Sequence, residues 1–66
     1  MKYLIKHGDS YVNYSEKGVL HFCHGGSFPD LIIKNYPKHK FTFSLFEAMS
    51  YLNKKNSVIT KIEVYE

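Results

Sequence analysis

A single cysteine, Cys23, in a chain of 66 residues sets the terms on which this protein can fold. One thiol closes no internal disulfide. A domain of roughly 60 residues buries only about 60% of the surface its unfolded chain exposes. Its core then supplies ~3–5 kcal/mol of net stability at best. Such a chain relies on a modest core, a metal ion or an oligomeric partner. With 44% hydrophobic and 17% aromatic residues, the composition is far from that of disordered chains. One folded domain over residues 1–66 is expected.

The order of elements follows from periodicity and turn residues. In "KYLIKHGDSYVNY", Tyr3, Ile5 and His7 alternate with Leu4 and Lys6, Gly8-Asp9-Ser10 supplies a turn, and Tyr11, Val12 and Tyr14 return. That is a hairpin. "SEKG" is a second turn, and "VLHFC" reads as a third strand with Val19, His21 and Cys23 on one face and Leu20 and Phe22 on the other. "HGGSFPD" is a loop, broken by two glycines and a proline. "LIIKNY" reads as a short buried strand, followed by a "PKHK" turn; Pro37 biases Tyr36 away from helix. "SLFE", from Ser44 to Glu47, has the form of a capping box, with Phe43 and Ala48 placed for a hydrophobic staple. Leu45, Ala48, Met49 and Leu52 make an apolar stripe at helical spacing, with Tyr51 off it. Lys54 and Lys55 suit the last turn, and Asn53 and Asn56 are terminators. "VITKIEVYE" closes the chain as a strand rich in β-branched residues. The expected class is α+β: a small antiparallel sheet of three to five strands with one helix packed on it, in the order β-β-β-(β)-α-β.

Charge and hydropathy narrow the function. No run approaches the ~20 apolar residues of a membrane span. The N-terminus lacks a secretory apolar core. A lone free thiol fits a reducing compartment, so a cytoplasmic protein is expected. The net charge is +3, from nine lysines and no arginine. Without arginine's bidentate fork the chain cannot read base edges well. Weak, salt-sensitive nucleic-acid contact through lysines remains open.

The chemical clue is "HFCHGG", His21 to Gly26. His21 and Cys23 stand two apart on a strand, and His24 opens a glycine-rich turn, so the "CHGG" piece resembles half of a zinc knuckle. With His7 and His39 there are five candidate ligands for a four-coordinate structural zinc: His7, His21, Cys23, His24 and His39. Two other readings stand beside it. Cys23 is a small buried hydrophobe at a strand end, or it is a catalytic thiol with a histidine base. So short a chain leaves little material for a substrate cleft, and a non-enzymatic protein is expected. Six tyrosines point to a protein-binding face, for which Tyr11, Tyr14, Tyr51, Lys54 and Lys55 are the candidates.

The opening "KYLIK" strand with its "GDSY" turn, the "FTFSLFEAMSYLNKKN" helix and the closing "VITKIEVYE" strand resemble small single-domain proteins encoded by phages and prophages of low-GC bacteria. The usage of lysine, asparagine, tyrosine and isoleucine agrees. The resemblance implies an accessory factor that binds and disables a host protein in the host cytosol. Some such proteins are type II anti-CRISPR proteins, which block an RNA-guided nuclease, and some look like metal-stabilised folds. A charge of +3 departs from the acidic DNA mimics among them. Docking on a protein surface to obstruct nucleic-acid loading is the compatible mechanism. The alternative is a small nucleic-acid-binding module that sets lysines on phosphates and aromatic rings on bases.

Overall fold

The computed structural model describes residues 1–55 and 58–65. The elements are β1 (Lys2–His7), β2 (Ser10–Tyr14), β3 (Leu20–His24), α1 (Pro29–Asn35), α2 (Leu45–Lys55) and β4 (Thr60–Tyr65). The four strands form one antiparallel sheet in the order β3-β2-β1-β4, so the class is α+β. The expected stop at Asn56 lies outside the described residues.

Gly8 and Asp9 join β1 to β2, and Gly8 takes a φ of 65°, a left-handed value that side chains other than glycine's rarely tolerate. The two strands pair only beside this turn, at Lys6↔Tyr11 and His7↔Ser10. Beyond it they splay, and the segment from Lys40 to Phe43 enters the fork. Phe43 exchanges backbone hydrogen bonds of 2.8 and 2.9 Å with Tyr3 of β1, and Lys40 exchanges bonds of 2.8 and 3.1 Å with Tyr14 of β2. This wedge closes the middle of the sheet with residues far away in sequence.

Each face of the sheet carries its own core. On one, Ile5 and Val12 pack with Phe43, Ala48 and Tyr51 beneath α2. On the other, Leu4 and Tyr11 pack with Phe41, flanked by Ile32 and Ile33 of α1.

The segment "LIIKNY" is therefore a helix, not the strand its apolar run suggested. Short apolar runs fit either conformation, and here the ends decide. Pro29 occupies the first turn, Asp30 follows it, and Lys34 lies in the last turn, all of which favour a helix. The Tyr36 N–H closes the end by donating to the carbonyls of Ile32 and Ile33. No residue of α1 is fully buried. It is held from beneath by Gly25, where an added Cβ would stand 2.4 Å from Ile32 Cγ1.

α2 begins as its sequence dictates. The Glu47 N–H donates to Ser44 Oγ at 3.1 Å, and the Ser44 N–H donates back to Glu47 Oε1 at 3.0 Å. The buried stripe, however, is turned from the expected one. Ala48 and Tyr51 face the sheet, while Leu45 and Met49 are exposed. Phe43, pinned to β1 just before the helix, sets that rotation.

The capping box also predicts an acid response. The Lys40 ammonium, hydrogen-bonded to Glu47 Oε2 at 2.5 Å, and then the Ser44 N–H hold the Glu47 carboxyl below the usual carboxylate range. A depressed folded pKa contributes stability above the unfolded value, about 4.3 for Glu, and loses it as pH falls through the folded value. Thermal midpoints of the native chain and of Glu47→Gln are expected to differ at neutral pH and to meet in acid. Parallel curves across the whole range would count against the pairing.

Candidate functional site

The five proposed metal ligands are divided by the sheet. The register places Tyr11 opposite Cys23 and Asn13 opposite His21, on the face that α1 covers. His39 reaches that same face from the turn after α1, its ring centroid 5.2 Å from that of His21. His7 and His24 leave the opposite face. They lie in one row with Ser10 between them, roughly 10 Å apart at two strand spacings. His7 Nδ1 instead meets Thr60 Oγ1 at 3.2 Å. Among the described residues, no group of three or more His, Cys, Asp or Glu side chains is arranged to hold a metal ion. The five residues do not fit a zinc site within one chain, because alternation along the strands sends them to both faces.

What organises "HFCHGG" is Asn13, which is fully buried. Its Nδ2 donates to the Tyr11 carbonyl at 3.1 Å, the His21 carbonyl at 3.2 Å and Cys23 Sγ at 3.3 Å. Three acceptors around Nδ2 orient the amide and leave Oδ1 to accept at 2.7 Å from His39 Nδ1. An amide oxygen only accepts, so in this bond the His39 Nδ1 carries the proton. Thiol and imidazole touch opposite ends of one amide rather than each other, which is not the arrangement of a nucleophile and its base. Sequence reasoning passed over Asn13, since one polar residue in "SYVNY" looks like an ordinary outward position.

The tyrosine candidates also part company. Tyr11 is buried on the α1 face, where its hydroxyl donates to the Gly26 carbonyl at 3.0 Å. Burial, aided by Glu63, raises its phenol above the usual range. The surface expected of it is spent on anchoring the glycine loop. Tyr51 is buried too, with a phenol raised chiefly by that burial and then by Tyr14. Yet Tyr14, Tyr51 and Lys54 all line one feature, an open groove of about 500 Å³ between α2 and the sheet. Ile5 and Phe43 form its floor, and Lys40, Phe46, Glu47 and Ser50 complete its walls. Lys55 lies beside it, its Nζ 5.9 Å from the Tyr51 ring centroid.

Phe46 went unnoticed in the sequence. It is 80% exposed at the groove's rim, on a helix that also exposes Leu45 and Met49. Three bulky apolar residues within five positions, beyond what the stripe of Ala48 and Tyr51 absorbs, were the available signal.

Comparison of the chain with protein-family models, with curated proteins and with solved structures finds no match. Among the described residues, no helix is long and apolar enough to cross a membrane. The class established is a small α+β domain whose two sheet faces are covered by different helices.

Proposed function

We propose that this chain is a non-enzymatic inhibitor that docks on a protein partner through the groove between α2 and the sheet. The observation that carries this reading is Phe46, a large aromatic side chain 80% exposed beside an open groove. A solvated aromatic next to a concavity has the form of an interface anchor. Lysines set the partner's chemistry. Glu47 is paired with Lys40, while Lys54 on the wall and Lys55 beside it leave the rim basic. The complementary surface is acidic and offers one apolar side chain to the groove.

The resemblance to small phage-encoded proteins supports a host protein as that partner, met in the host cytosol. An RNA-guided nuclease, obstructed before its nucleic acid loads, is the target we test. A purified type II nuclease is mixed with the protein either before or after guide RNA, and cleavage of target DNA is followed. Inhibition is expected only when the protein comes first. Phe46→Asp should weaken it by about 30-fold, the ~2 kcal/mol of an anchor residue. Full cleavage in both orders would overturn the nuclease as target. Binding to single-stranded RNA that falls steeply with salt would instead favour the nucleic-acid-binding alternative, in which Lys54, Lys55 and Phe46 act on phosphate and base.

A further inference from the structure

The edge of the sheet at β3 has features that the groove does not use. β3 is an outermost strand. The other outermost strand, β4, carries exposed Lys61 and Glu63, charges of the kind that blunt an edge against further pairing. Leu20–His24, "LHFCH", has no lysine, acid or proline. Its Phe22 is 49% exposed.

Backbone parity shows which groups of β3 point outward. The Ser15 N–H donates to the Val19 carbonyl at 2.9 Å, and the Gly25 N–H donates to the Asp9 carbonyl at 3.3 Å. Hydrogen-bonded pairs alternate along an antiparallel ladder. Residues 19, 21, 23 and 25 therefore spend their backbone groups on β2. Leu20, Phe22 and His24 direct theirs to the open side.

That set is symmetric about Phe22. A two-fold axis there sets Phe22 opposite its own copy and Leu20 opposite His24, and each of these pairs uses outward backbone groups. The pairs between them are His21 opposite Cys23 and Cys23 opposite His21. Such non-hydrogen-bonded pairs bring side chains closest, with Cα atoms about 4.5 Å apart. All four side chains leave the same sheet face. Two imidazoles and two thiols are the ligand set of a tetrahedral zinc site; among the described residues of one chain no group of three or more such side chains is arranged to hold a metal. Asn13 Nδ2 already donates to Cys23 Sγ, a bond that a thiolate accepts more strongly than a thiol does.

We propose that two copies of this chain pair along β3 about a two-fold axis at Phe22 and hold one zinc ion between them through His21 and Cys23 of each. Zinc takes both sulfurs as thiolates, and the two thiol protons pass to solvent. None of the residues lining the groove beside α2 lies on β3.

The test is native mass spectrometry together with sedimentation equilibrium of the full chain, with zinc added and then removed by a chelator. The expected result is a species of twice the chain mass holding one zinc, returned to monomer by the chelator. Cys23→Ser should be monomeric and zinc-free. Phe22→Lys keeps all the ligands but sets two ammonium groups face to face at the axis, so it should also stay monomeric and release zinc. A native chain that stays monomeric in excess zinc overturns the proposal. So does a monomer holding its own zinc, or a dimer indifferent to the chelator.

Discussion

Replacing Phe43 with alanine is expected to abolish cooperative unfolding, leaving a chain mostly unfolded at 25 °C. Phe43 is buried among Ile5, Val12, Ala48 and Tyr51. Its ring meets Tyr14 edge-on, with centroids 5.9 Å apart. Its backbone bridges to Tyr3. Phe→Ala in a packed core costs ~3–5 kcal/mol, which matches the entire ~3–5 kcal/mol that a core of this size supplies. Phe43→Leu keeps most of the volume and should cost less than ~1.5 kcal/mol. At about 4–8 °C per kcal/mol, that variant still melts cooperatively, below the native midpoint. Thermal melts followed by circular dichroism decide the matter. An alanine variant that melts within a few degrees of the native chain would remove the wedge from its place at the centre of the fold.

Asn13→Asp is expected to behave in the opposite way to Glu47→Gln as pH changes. The substitution keeps the shape but replaces an amide donor, aimed at two carbonyls and a sulfur, with a carboxylate oxygen. Its charge would sit at a fully buried position, where the His39 ring faces one carboxylate oxygen. The oxygen facing two carbonyls and a sulfur meets no donor there, and a buried charge left so poorly compensated costs ~3–5 kcal/mol. Burial raises the folded pKa of an acid above its unfolded value. The charged form is then the destabilising one, and stability returns as acidification neutralises the carboxyl, whose O–H can donate again. The variant should be largely unfolded at neutral pH and regain structure toward mild acid, where the native chain gains nothing. A neutral-pH midpoint equal to that of the native chain would show that Asn13 does not hold the end of β3.

The three hairpin-meander strands, the capped helix and the final strand were all legible, because each carries its own punctuation. Gly8 and Gly18 take positive φ at the turns, and Ser44 with Glu47 closes a local loop of hydrogen bonds. The six residues of "LIIKNY" carry no period long enough to separate strand from helix, and Pro29, which opens the helix, sits in a stretch that reads as a loop. The burial of Tyr11 and Tyr51 escapes the sequence for a related reason. Spacing shows that Tyr11 and Tyr51 share faces with other residues, but not which face another element will cover.

The candidate site was legible only in pieces. Lys54, Tyr14 and Tyr51 border the groove, yet the groove itself needs α2 set beside the splayed hairpin. The five histidine and cysteine candidates are close in type and in sequence, but the sheet does not gather them into one cluster. Strand alternation assigns His21 and Cys23 to one face and His24 to the other, and no count of residues brings them back together.

By itself the sequence determined the element types with local signatures, the α+β class and the small, disulfide-free character of the domain. These depend on interactions within a few residues: turn dihedrals, caps and alternation. Tertiary structure alone decided that Lys40–Phe43 would enter the fork between β1 and β2, that Asn13 would be the buried polar centre and that β3 would be left as an uncharged edge. The wedge and the Asn13–His39 bond join residues 26 to 40 positions apart, and the edge follows from the order of the whole sheet. Such contacts form only where burying one surface outweighs burying another, a comparison that no local stretch of sequence contains.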